Sequence, residues 1–150
     1  MSDGREEKPK KHEAVWLKIN GSIDIGVIDV TASKAIGFPA GPIRLAEGLP
    51  GPKGYGLAHI DRDRASRLKD IGFEAVQACF VDVAANWEAA VCANETNKVV
   101  LVKKHRARVL QLVAQIFDGP NGHYWSATTI IIGRRIRPDE VIYQRIITAG

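Results

Sequence analysis

From Lys98 onward the apolar residues stop recurring every three or four positions and begin to alternate or run together. The stretches "KVVLVKKH", "RARVLQLVAQIF", "HYWSATTIII" and "EVIYQRIIT" are rich in β-branched and aromatic residues, which suit a pleated, half-buried surface. Between them lie turn residues at Asp118-Gly119-Pro120-Asn121-Gly122 and across Gly133 to Asp139; these supply the conformations that tight connections need. This part of the chain constrains the fold most, because strands must pair and must bury one face. It predicts a four-stranded antiparallel meander.

The preceding third has helical spacing. Leu57, Ile60, Leu68 and Ile71 fall on one face of a helix, and Gly72 is placed to end it as a C-terminal cap. Phe73, Val76, Phe80, Val83, Trp87 and Val91 then recur at threes and fours and predict a second helix ending near Asn94. Nearer the start, "AVWLKIN" and "SIDIGVIDVT" flank Asn20-Gly21, a strong hairpin signal. "ASKAIGFPAGPIRLAEG" is punctuated by Gly37, Pro39, Gly41 and Pro42 and reads as loop with a short extended piece at Pro42 to Leu45. Helices followed by strands give the α+β class: an N-terminal hairpin and two helices packed on a four-stranded antiparallel sheet, with one sheet face left open for a site.

A chain of 150 residues, 45% hydrophobic and 25% charged, is enough for one domain with its own core. Residues 1–13 are polar and read as a flexible leader, leaving 14–150 as the domain. No apolar run reaches membrane-spanning length and no signal-peptide pattern opens the chain. Cys79 and Cys92 both fall in the helical segment and read as small packing side chains, not as a disulfide framework. The net charge is +4, unevenly spread: residues 98–150 hold nine Lys/Arg against three Asp/Glu. A basic C-terminal third favours a polyanion or an acidic protein as partner, or is a solvated basic face.

The sequence has no CxxC pair, no histidines four apart and no phosphate-loop signature, so neither a metal nor a cofactor is expected. Of its four histidines, His12 lies in the leader, leaving His59, His105 and His123. His59 follows the glycine-rich "GPKGYGLA", with Lys53 before it and Arg62 and Arg64 after it. A histidine in such a loop is placed for proton transfer. Arg64 falls on the apolar stripe of its helix, where a charge must find a partner, border a cleft or snorkel past the edge. In "GHYWSATT", strand alternation with Trp125 and Ala127 inward puts Tyr124, Ser126 and Thr128 on the other face.

Taken together, "GPIRLAEG", "KGYGLAHIDRDR", a helix ending "FVDVAANW" and "YWSATTI" resemble the barnase, EndoU, colicin-type and RelE-like nuclease superfamily, in the branches found in phage proteins and bacterial polymorphic toxins. The resemblance spans roughly residues 42–145. It implies a small metal-independent ribonuclease, a helical part followed by an antiparallel sheet, in which His59 is the general acid or base. Many relatives carry a second histidine five residues on, where this chain has Arg64; a guanidinium stabilises phosphate charge but does not shuttle protons. The hydroxyl of the final strand motif corresponds to Thr129, whereas alternation favours Ser126 and Thr128, and all three stay as candidates. Lys53, Arg62, Lys103, Lys104 and Arg106 would contact phosphates, and Tyr124 or Trp125 would stack a base.

The resemblance also implies RNA, tRNA among the candidates, as substrate, an acidic immunity or antitoxin protein as partner, and a cytoplasmic site of action reached in some relatives as the C-terminal domain of a larger effector. The alternative reading is a non-catalytic RNA- or protein-binding module with a basic sheet face, which would not need His59.

Overall fold

A computed structural model describes residues 15–47, 60, 62–93, 96–119, 122–133 and 135–145. The expected leader and the expected loop with Lys53 and His59 lie outside the described residues. The elements run β1 (Gly26–Ile28), α1 (Val30–Ile36), β2 (Gly41–Leu45), α2 (Arg62–Asp70), α3 (Val76–Asn86), β3 (Ala89–Cys92), β4 (Lys98–His105), β5 (Arg108–Gly119), β6 (Gly122–Gly133) and β7 (Val141–Gln144).

The sheet overturns the expected architecture. Its seven strands lie in the order β1-β2-β6-β5-β4-β3-β7, and among the described residues three α-helices accompany it, in place of four antiparallel strands and two helices. The β4-β5-β6 meander is present as read, with a β5–β6 ladder running from Val109–Gly133 to Gly119–Gly122. The fourth run does not continue it. Val141–Gln144 instead pairs with β3 at the opposite edge, while β2 runs parallel beside β6 with Ile43 opposite Trp125 and Leu45 opposite Ala127. All four of those side chains are fully buried. Apolar burial on this flank, which a meander ending at the chain's C-terminus would leave bare, selects β2 as the neighbour.

Three local readings change with it. The second helix stops at Asn86 and residues 89–92 form a strand between β4 and β7. The four-residue spacing of Trp87 and Val91 is compatible with either state, and two ladders decide for the strand. Residues 30–36 are helical, not loop: the Asp29 carboxylate accepts the Ala32 N–H at 2.9 Å, and Gly37 ends the helix in the left-handed region. The Asn20-Gly21 turn forms, both residues having positive φ, but the hairpin closes with a single bridge between Ile19 and Ser22. Its arms are recruited by β2, Leu17 N–H donating to the Leu45 carbonyl and Ile25 N–H to that of Ile43, each at 2.8 Å.

The sheet curls into a half-barrel, and Trp87 shows how the curl is held. Its indole N–H donates to the Val27 carbonyl on edge strand β1 at 3.2 Å, and its ring lies 6.0 Å from that of Tyr143 on edge strand β7. One buried side chain thus touches both edges. The main core, on the same side, takes Ala32 from α1, Leu68 from α2 and Cys79, Phe80, Val83 and Ala84 from α3. A smaller cluster, Ala89, Val91, Val102 and Val109, lies on the other sheet face. Among the described residues no helix is long and apolar enough to cross a membrane.

Candidate active site

Helix α2 presents Arg64 and Leu68 one turn apart, on the same stripe. Leu68 is fully buried in the main core, which fixes the rotation of the helix and turns Arg64 toward the sheet. There the Arg64 Nη1 donates to the Thr129 Oγ1 at 2.8 Å, across 65 positions of sequence. Pairing with β2 ends at Ala127, so Thr129 sits on the part of β6 beyond it. Among the described residues no strand pairs with β6 on that side there, so the helix places its cation against that flank, and Ile60, just before the helix, packs on the core.

A register shift in β6 decides which hydroxyls are neighbours. Val113 pairs with Thr129 and Ala114 with Ala127, so Thr128 is the extra residue of a bulge. Burial changes parity across it: Trp125 and Ala127 are fully buried before the bulge, Ile130 after it. Simple alternation aligned Ser126 with Thr128. Ser126 instead pairs with Gln115 and Thr129 with Val113, positions that alternate with the buried Leu112 and Ala114, so Ser126 and Thr129 share the face away from the main core. The Thr128 hydroxyl donates to the Val113 carbonyl at 3.1 Å and is committed to the bulge itself.

The other candidates separate. Trp125 is fully buried, with its indole N–H on the Pro39 carbonyl at 3.1 Å, and offers no face to a base. Tyr124 is only 3% exposed, enclosed by an edge-on Trp16 at 5.5 Å, a stacked Phe117 at 5.7 Å and the Arg44 guanidinium 5.1 Å from its ring. Burial pushes its hydroxyl above the ordinary tyrosine range and Arg44 opposes that shift. Lys103 faces α3 and pairs with Asp82 at 3.1 Å. Lys104 projects to the opposite face and, with Arg106 in the β4–β5 turn, borders a groove near β7. Arg62 opens α2; Lys53 and His59 lie outside the described residues.

Two further histidines have structural partners. His105 Nε2 lies 2.7 Å from the Ile71 carbonyl with its ring 4.6 Å from that of Phe73, fastening the α2–α3 connection to the end of β4. His123 Nδ1 meets the Asp118 carboxylate at 2.5 Å near the end of the β5–β6 hairpin. Arg44, not singled out from sequence, lies opposite Ser126 and is held by Asp24 at 2.8 Å. The signal was there in its alternation with Ile43 and Leu45, which marks a polar face on β2.

Among the described residues no three His, Cys, Asp or Glu side chains are grouped to hold a metal ion. Comparison with protein-family models, with curated proteins and with solved structures found no match to this chain.

Proposed function

We propose that this chain is a metal-independent endoribonuclease domain centred on His59, which precedes α2 in sequence, and on the part of β6 beyond its pairing with β2. The observation that carries the reading is the 2.8 Å bond between Arg64 and Thr129: two side chains from motifs far apart in sequence, each nominated for the same chemistry, meet at one place. In this reading an RNA 2′-OH attacks the adjacent phosphorus, the P–O5′ bond breaks, and a 2′,3′-cyclic phosphate and a 5′-hydroxyl leave. His59 transfers protons, since imidazole titrates near neutral pH. Arg64 stabilises the charge on the pentacoordinate phosphorus, for which a fixed, permanently protonated guanidinium is suited. Thr129 positions that guanidinium, and the acidic inhibitor such an enzyme implies would be the protein partner.

The test is incubation of the purified protein with total RNA in excess EDTA. Cleavage products ending in 2′,3′-cyclic phosphate are expected, and His59→Ala should slow their appearance roughly 10²-fold or more with the melting curve unchanged. RNA left intact across many substrates, or a folded His59→Ala protein as fast as the parent, refutes the assignment and leaves the binding module.

A further inference from the structure

Beside the end of β6 a groove of about 680 Å³ opens between the β4–β5 turn and β7. Lys104, Arg106, Arg108, Arg135 and Arg145 line it, against one carboxylate, Glu88. That carboxylate is already engaged, accepting the Lys104 backbone N–H at 3.0 Å. Three other described basic side chains do find acids: Arg44 pairs with Asp24, Lys103 with Asp82, Arg137 with Asp139. Among the described residues none of the five groove cations has a carboxylate within ion-pairing distance. Arg145 donates to the Trp87 carbonyl at 3.0 Å and its guanidinium lies over the Trp87 ring, which holds it there.

The Arg106 guanidinium lies against Gly72 and that of Arg145 over Trp87, which leaves the exposed Lys104, Arg108 and Arg135 as the charges at the hollow, an electropositive patch that favours an anion. The strand register relates that hollow to the candidate active site. Val109, in the groove floor, and Val113, opposite Thr129, project to the same face of β5. They are four residues apart, about 13 Å along a strand at roughly 3.3 Å per residue. Arg64 comes from α2 on the main-core side and meets the Thr129 hydroxyl beyond the end of the β2 pairing, so a polyanion lying along this face would run from the groove to that bond.

We propose that this groove binds the phosphate backbone of single-stranded nucleic acid, as the continuation of the substrate path leading from Arg64 and Thr129. The proposal deepens the nuclease reading and rests on it for the direction of the path, but binding in the groove is measurable without cleavage. The floor, Ala89, Val102 and Val109, is aliphatic and presents no aromatic platform, so the groove recognises charge and not base identity. Arg108 and Arg135, absent from the sequence-based candidates, are both exposed where the groove meets the end of the β5–β6 pair.

The probe is a fluorescein-labelled oligodeoxythymidylate of about 12 nucleotides, within the usual span of single-strand sites. It has no 2′-OH and resists transesterification. Arg108→Ala with Arg135→Ala should weaken binding roughly tenfold at low salt and flatten the slope of log K against log salt by about 1.4, at about 0.7 per phosphate contact. Arg137→Ala, removing an exposed arginine outside the groove and paired with Asp139, should do neither. Unchanged affinity and slope in the double variant overturn the proposal. So does an octaglutamate peptide that binds more tightly than the oligonucleotide, which would give the groove to an acidic protein. A double variant impaired in binding beside a parent that leaves RNA intact would keep the groove and remove the nuclease.

Discussion

The bond from Arg64 to Thr129 can be weighed by a double-mutant cycle. Thr129→Val keeps the volume and β-branching of the side chain and removes the Oγ1; Arg64→Met keeps an unbranched stem and removes the guanidinium. A hydrogen bond to a charged group contributes about 1.5–3 kcal/mol when well shielded. The bond is only part-buried, so water competes and a coupling of about 0.5–1 kcal/mol is expected. Arg64 has further interactions. Arg64→Met should therefore cost more than Thr129→Val, and the coupling isolates the term the two share. Urea unfolding of the four proteins measures it, provided the m-values agree. In a chain of this size about 1 kcal/mol also moves Tm by roughly 2–4 °C. The same four proteins report on catalysis: Thr129→Val should lower the cleavage rate of the parent but add little once Arg64 is gone. Additivity in stability to within about 0.3 kcal/mol would show that the bond does not form in solution, and additivity in rate would show that Thr129 does not act through Arg64.

Two further predictions concern the packing of the core. A Cβ at Gly26 would lie 2.1 Å from the Ala84 carbonyl oxygen, a backbone atom, so Gly26→Ala must push β1 off the end of α3. A loss at or above the usual overpacking range of about 1–3 kcal/mol is expected in differential scanning calorimetry, and an unchanged melting temperature would contradict that close approach. Burial, with Asp82 adding to it, pushes the Cys79 thiol from 9.0 up to about 12. Because the folded value lies above the unfolded one, the protonated thiol's contribution is fully present below pH 9 and lost as pH rises toward 12. Cys79→Ala should flatten that alkaline fall in denaturation midpoints, and an identical pH profile in the variant would refute it.

Features that depend on a few neighbouring residues were legible in the sequence. The Asn20-Gly21 turn forms because those residue types tolerate positive φ, and Gly72 closes α2 with φ 107°. Lys98–His105, Arg108–Gly119 and Gly122–Gly133 are strands because alternating β-branched residues leave them little else to be. The helix stripe also put Arg64 on the face expected to meet the sheet, where it would find a partner, border a cleft or snorkel past the edge, and only the fold supplied Thr129. The capping pair Asp29 and Gly37 was equally local, yet the surrounding glycines and prolines masked it.

What escaped depends on partners distant in the chain. Ala89–Cys92 reads as the tail of a helix until β4 and β7 bracket it, and nothing near Val141 indicates that it will cross to β3 instead of joining β6. The extra residue at Thr128 is invisible to an alternation count, because a bulge is defined by the partner strand; it alone moves the shared face from Thr128 to Thr129. Likewise the excess of basic residues after Lys98 could be counted from the sequence. Which of them find acids and which line the groove was settled only when the sheet curled, because charge compensation is a matter of distances between strands and not of positions along one.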